Sequence, residues 1–215
     1  MTADPAASCT PIAGQPPVVR AVRALLDWVA QSRVVVVVAE PLAARVRGVL
    51  AAHDLSAVAV IAVAASADRR QAITAGLEHV VQEPLSQAPV LVHDVLHPLA
   101  PSEVSGRVIG AVRTGYPVVV PVVPVTDSVK SVDGRGAVVA TIDRATLQAV
   151  QYPRGFTAAT LAELLSNSQV GDELEAALAG GQPVVTVDGH EDAVRFALPA
   201  DADLLEAVIA SRQGR

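Results

Sequence analysis

Residues Val34 to Ala39 read as five valines and an alanine in a row. Such a run offers no polar face to water, so as a strand it needs cover on both sides. Ala57 to Ala65, Pro89 to Val92 and Val118 to Val125 have the same character. These runs are β-branched and bounded by turn residues, which predicts a mostly parallel sheet wrapped by helices. Apolar residues make up 51% of the chain but aromatic ones only 2%. The core is therefore built from Val, Ala, Leu and Ile, through many small interlocking contacts.

Helical periodicity alternates with these runs. Val18 to Ala30 carries an apolar stripe through Val19, Val22, Leu25, Leu26 and Val29. Leu42 to Ala52, Arg69 to Val81 and Glu103 to Arg113 follow the same period. Ser66 or Asp68 is expected to cap the third of these helices and Ser102 the fourth. Alternation of this kind predicts right-handed βαβ units and an α/β fold. After Val125 the pattern changes. Val129 to Val132 and Ala137 to Ile142 flank Asp133-Gly134-Arg135-Gly136, a hairpin signature. Thr157 to Leu165 and Glu173 to Leu178 read as helices, Pro183 to Val187 as a strand, and Ala202 to Ser211 as a last helix. No fixed-period repeat or low-complexity linker interrupts the chain. Residues 1–215 read as one domain with an arm at about 126–150.

Several function classes fall away. The net charge is −6, and the basic residues form no stripe interleaved with aromatics, so no nucleic-acid partner is expected. Cys9 is the single cysteine, which excludes an intrachain disulfide and a thiolate metal cluster. The first residues lack the charged and apolar regions of a signal peptide. No apolar run is long enough to span a bilayer. A cytoplasmic protein with no membrane contact is the expectation.

Three places carry chemistry. Asp94 closes the strand ending Val92-His93. Ligands of open α/β sheets bind beyond the carboxyl ends of strands, where a carboxylate can hold a divalent cation against phosphates. A loop-capping Asp is the equal alternative. Thr126, Asp127, Ser128 and Lys130 follow the next strand and together suit phosphate recognition; a solvated strand-end turn is the other reading. Arg144 follows Asp143, where it can pair locally or reach across a dimer as a bidentate phosphate clamp.

The order of these pieces is familiar. Val92-His93-Asp94, Thr126-Asp127-Ser128-Val129-Lys130, Thr141-Ile142-Asp143-Arg144 and Pro153-Arg154-Gly155-Phe156 together resemble the methylerythritol phosphate cytidylyltransferases, the IspD family. Ile12-Ala13-Gly14, Arg69 with Ala75-Gly76-Leu77, Gly171-Asp172-Glu173 and Val187-Asp188-Gly189 extend the likeness over nearly the whole chain. The resemblance implies a Rossmann-like nucleotidyltransferase sheet with a β-hairpin dimerisation arm. It implies transfer of CMP from CTP to a polyol phosphate in isoprenoid precursor synthesis, with Mg²⁺, in a homodimer with swapped arms. By the same resemblance Asp94 is catalytic and binds the metal. Ser128, with Thr126, Asp127 and Lys130, lies on the substrate side. Arg144 enters the partner's site, Arg69 lies on the nucleotide side, and Arg195 stands where the family has a catalytic lysine.

The nucleotide side departs from the family. Its first strand and Gly-rich loop fall before Met1, and its phosphate-binding lysine falls at Ala7. His97 stands in place of an arginine, Ala65-Ser66 in place of a Gly-Gly loop, and Ala72 in place of a serine. Tyr152 and Ala197 each replace a threonine. Loss of a charge that stabilises a transferring phosphoryl group costs orders of magnitude in rate. The expectation is therefore a degenerate homologue with weak or no CMP transfer and a binding or regulatory role. The alternative is an active cytidylyltransferase whose site is rebuilt from Asp94, Lys130, Arg144 and Arg195. A chain without a hairpin arm after Val125 would instead be a plain α/β binding module.

Overall fold

The computed structural model describes residues 5–81, 87–167 and 171–213. Seven α-helices and nine strands are found among them. The first half alternates: α1 (Pro17–Arg23), β1 (Val35–Ala39), α2 (Glu40–Ala51), β2 (Ala59–Val63), α3 (Arg69–Val80), β3 (Pro89–Val92), α4 (Ser102–Arg113) and β4 (Val118–Pro124). The hairpin follows as β5 (Val129–Val132) and β6 (Val138–Ile142). Then come β7 (Gln148–Val150), β8 (Arg154–Thr157), α5 (Ala158–Asn167), α6 (Glu173–Ala179), β9 (Val184–Asp188) and α7 (Ala202–Gln213).

The strands form three sheets. β3, β8, β4 and β9 lie side by side, and β7 extends along β4 beyond β8. β4 and β9 are parallel, and both β3 and β4 run antiparallel to β8, so β3, β4 and β9 point the same way. β1 and β2 pair in parallel as a sheet of their own, and β5 and β6 form the antiparallel hairpin. Among the described residues β1 pairs only with β2 and β3 only with β8, so each keeps one edge without a ladder partner.

The mostly parallel sheet is as expected, but β8 is an addition to it. Arg154-Gly155-Phe156-Thr157 has no apolar alternation, yet all four residues are buried between β3 and β4. Gly155 is what lets it enter. A Cβ there would lie 2.4 Å from Val108 Cγ1 and 2.9 Å from Val112 Cγ2, both on α4. The packing face of α4 is Val104, Val108, Ile109 and Val112, a helical stripe. Pro121 is tolerated inside β4 because its missing N–H falls where the antiparallel neighbour changes from β8 to β7.

Helix ends differ from expectation in two places, at α1 and α4, and the choice of cap for α3 is resolved. The helix expected to reach Ala30 stops at Arg23; the chain continues in tight turns, with Leu25 N–H bonded to Val22 O and Trp28 N–H to Leu25 O. There Trp28 is pinned by its indole N–H to Ser102 O at 2.7 Å and by packing onto Gly106. Asp68, not Ser66, caps α3, in a reciprocal capping box with Gln71. Ser102 is the first residue of α4 and not its cap; Pro101 holds that position without a side-chain bond.

Candidate functional site

Asp94 lies just beyond β3, at the carboxyl end of the sheet. Its Oδ1 accepts from the Leu96 N–H at 2.9 Å, so it does cap the loop. Its Oδ2 has no hydrogen-bond partner among the described residues. The capping bond therefore leaves the second carboxylate oxygen available for another partner.

The floor beside Asp94 is a charged lattice built by elements distant in sequence. Arg69 enters from the first turn of α3. Its Nε and Nη2 donate to both oxygens of Glu173, at 3.1 and 2.9 Å, and Nη2 also donates to the Tyr152 hydroxyl at 3.0 Å. Arg154 of β8 donates from Nη1 to Asp172 Oδ2 at 2.7 Å and to Glu173 Oε1 at 3.2 Å. Glu173 is thus a buried carboxylate held between two guanidinium groups, an arrangement that repays its desolvation through bidentate geometry. The Tyr152 ring packs under Arg154, 4.6 Å from centroid to guanidinium carbon, and stands 4.8 Å from the His97 ring.

Protonation follows from this lattice. Burial works against the Arg69 charge, but the Glu173 carboxylate outweighs it and the Arg69 pKa is raised. Burial raises the Tyr152 phenol, against the pull of both arginines. Burial opposes ionisation of Asp172, yet the Glu175 N–H and the Arg154 guanidinium hold its pKa below the ordinary value. Burial lowers His97, whose Nδ1–H donates to the Ala193 carbonyl at 3.1 Å and so leaves Nε2 as the acceptor. His93 is pushed down to about 4 by burial and by His97, and neither ring nitrogen has a partner among the described residues.

The sequence-predicted residues fall into two groups. Asp94 lies within electrostatic reach of Arg69 and Tyr152, and Arg195 within reach of His97. Thr126, Asp127, Ser128 and Lys130 are exposed at the root of the hairpin, and none of their hydrogen bonds reaches the Asp94 group. Lys130 Nζ donates across the hairpin to Thr141 Oγ1 at 2.8 Å. Arg144 Nη1 donates to the Thr126 carbonyl. The local Asp143–Arg144 pair does not form: the Arg144 guanidinium is turned to Thr126, and Asp143 Oδ1 accepts from the Ala145 N–H at 3.0 Å. Sequence reasoning assigned no role to Arg154, Glu173 or Asp172. The signals available were the Pro-Arg-Gly-Phe element, with an Arg where a buried strand should be apolar, and the Gly171-Asp172-Glu173 motif. A cleft of about 380 Å³ opens beside Arg69, lined also by Asp68, Arg70, Leu164, Asp172 and Glu173. No three His, Cys, Asp or Glu side chains gather into a metal cluster among the described residues.

The helix-wrapped sheet, with a carboxylate at the carboxyl end of β3 and arginines from neighbouring elements, has the architecture of a Rossmann-like nucleotidyltransferase fold. The chain belongs to the IspD family: residues 1–211 match the model described as 2-C-methyl-D-erythritol 4-phosphate cytidylyltransferase. It is 39% identical over 211 residues to the protein of that name from Streptomyces coelicolor, covering 94% of this chain and 77% of the relative. It is 38% identical to that from Streptomyces avermitilis, over 93% of this chain and 82% of the relative. The crystal structure of 2-C-methyl-D-erythritol 4-phosphate cytidylyltransferase from Thermus thermophilus superposes with a TM-score of 0.74 at 26% identity, over 97% of this chain and 96% of that one. No helix among the described residues is long and apolar enough to cross a membrane.

Proposed function

We propose that the chain transfers CMP from CTP to methylerythritol phosphate or a close polyol phosphate, releasing pyrophosphate. The acceptor's phosphate oxygen attacks the α-phosphorus of CTP, and the bond to the β-phosphate oxygen breaks. The observation that carries the reading is Asp94 at the strand mouth with one free carboxylate oxygen, in a chain that matches a cytidylyltransferase family over its length. Mg²⁺ keeps most of its water and takes one or two carboxylates plus substrate phosphates. A lone Asp94 fits that role, and the ion would neutralise phosphate charge. Arg195 would steady the charge that develops on the transferring phosphoryl group, and Arg69 would face the nucleotide.

The arm set completes the site in this proposal from a second copy. Val132, Val138 and Val139 are exposed on the hairpin, an apolar surface that a partner would cover. Thr126, Asp127, Ser128, Lys130 and Arg144 would then meet the acceptor's phosphate in the partner's site. Sedimentation of the chain as a monomer at micromolar concentration would remove this part of the reading.

One structural observation supports the expectation of weak or absent transfer. Ala7 is buried against Phe196, Leu198 and Leu205, so that position offers no cation. The identity to the named relatives favours activity over it. The deciding experiment incubates the protein with CTP, methylerythritol phosphate and Mg²⁺ and follows pyrophosphate release. Release that vanishes on chelation supports the transferase; none with any polyol phosphate returns the binding role.

A further inference from the structure

After β9 the chain turns back over the Asp94 side of the sheet as residues 188–196. Both ends of this loop are tied down. Arg107 donates from Nε to Asp188 O at 2.6 Å and from Nη2 to Gly189 O at 3.1 Å, while Gly189 N–H donates to Val122 O at 2.8 Å. At the far end Phe196 N–H donates to Leu96 O at 2.8 Å, and Ala193 O accepts from His97. Between these ties one buried side chain reaches the loop. Gln151, between β7 and β8, donates from Nε2 to His190 O at 2.8 Å and accepts at Oε1 from His190 N–H at 2.9 Å.

Two bonds to the backbone of one residue fix its rotation as well as its distance, as a neighbouring strand would. The approach is close enough to demand glycine next door: a Cβ on Gly189 would lie 2.1 Å from Gln151 Oε1. Ala193 and Phe196 are buried, so the exposed Val194 and Arg195 are held up between two anchors. Among the described residues, the placement of Arg195 beside His97 is thus set by the loop and not by any hydrogen bond or ion pair of its own side chain.

We propose that Gln151 is a positioning residue, which grips His190 at both backbone atoms and so holds the 188–196 loop and Arg195 over the site. Its catalytic consequence rests on the transferase reading above; its structural consequence does not. The test uses the full chain and Gln151→Met, which keeps the side-chain bulk and removes both bonds. Trypsin cleavage after Arg195 is timed against cleavage after Arg135 at the hairpin tip. We expect the first to quicken on the order of tenfold and the second to stay unchanged, since a local opening responds to the buried bonds that close it. Equal rates at Arg195 in both proteins overturn the proposal.

The kinetic arm is a double-mutant cycle with Arg195→Ala. Gln151→Met alone should lower kcat/KM for the polyol phosphate on the order of tenfold, and should add little once Arg195 is gone. Additive losses would make Gln151 a mere stabiliser of the fold and overturn the proposal. Should wild type show no transfer, the transferase reading fails, and proteolysis alone decides the positioning role. Should Gln151→Met fail to fold, hydrogen exchange in wild type decides. A His190 amide that exchanges as fast as that of Gly134 in the hairpin tip refutes the grip; one as slow as the β9 ladder upholds it.

Discussion

β1 and β4 are nearly the same sequence, Val-Val-Val-Val-Ala against Val-Val-Val-Pro-Val-Val-Pro, yet they sit in different surroundings. In β4, Val118 and Val119 are fully buried, with β8 or β7 on one edge, β9 on the other and α4 across one face. In β1 all five residues are only half-buried, although α2 and α3 both pack on the β1–β2 sheet. Apolar composition specifies a strand that needs cover; neighbours on its edges decide how much cover it receives. The candidate site mostly follows the same division, with Arg69 of α3 as the contribution from the two-stranded side. Asp94, Tyr152, Arg154 and the 188–196 loop all belong to the five-stranded side.

The largest test of that division concerns activity. Asp94→Asn should lower CMP transfer by about 100- to 1000-fold, the scale of losing one preorganised charge. Arg47→Ala, which removes a donor to Val60 O on the two-stranded side, should leave transfer unchanged. Comparable losses in both would break the comparison. Stability comes next. Phe156→Ala, which empties a fully buried site in β8, should cost about 3–5 kcal/mol in urea unfolding, while Val37→Ala in β1 should cost about 1 kcal/mol.

A pH titration sharpens the same contrast at the end of β3. His93 has a folded pKa of about 4 against an ordinary 6.5, because burial disfavours its charge. The unfolded chain therefore binds this proton first as pH falls. Its contribution is fully present above about pH 6.5 and is lost progressively down to about pH 4, to a limit of roughly 3 kcal/mol. His97 is shifted the same way. Urea midpoints of His93→Leu, compared with wild type, should show a shallower decline across that window; an equal decline would exonerate His93. The smallest effect is local: amides of Val36 to Val38 should exchange faster than those of Val118 to Val120. Equal protection would mean that the open edge of β1 finds a partner in solution.

Much of the fold was legible because it rests on periodicity. The uniform valine runs, the α4 stripe and the Asp-Gly hairpin turn each specify an element within a few residues. The lattice under Asp94 was not legible for a physical reason. Arg69 and Glu173 lie 104 positions apart and meet only because α3 and α6 converge beside β8. β8 hid because its burial comes from Gly155 fitting under α4, not from its own hydrophobicity. Arg144 and Lys130 were singled out by motif, but their hydrogen bonds stay within the hairpin and its root.

The edges of β1 and β3 that have no ladder partner among the described residues also bear on how the protein behaves in a tube. A valine-rich strand with bare N–H and C=O groups is a template for any other extended chain, including another copy. The net charge of −6 keeps copies apart at neutral pH. As acid titrates the carboxylates, that repulsion fades while the open edges stay apolar. Edge-to-edge association of this chain is therefore expected in mild acid at high concentration, and dispersal in low-salt neutral buffer.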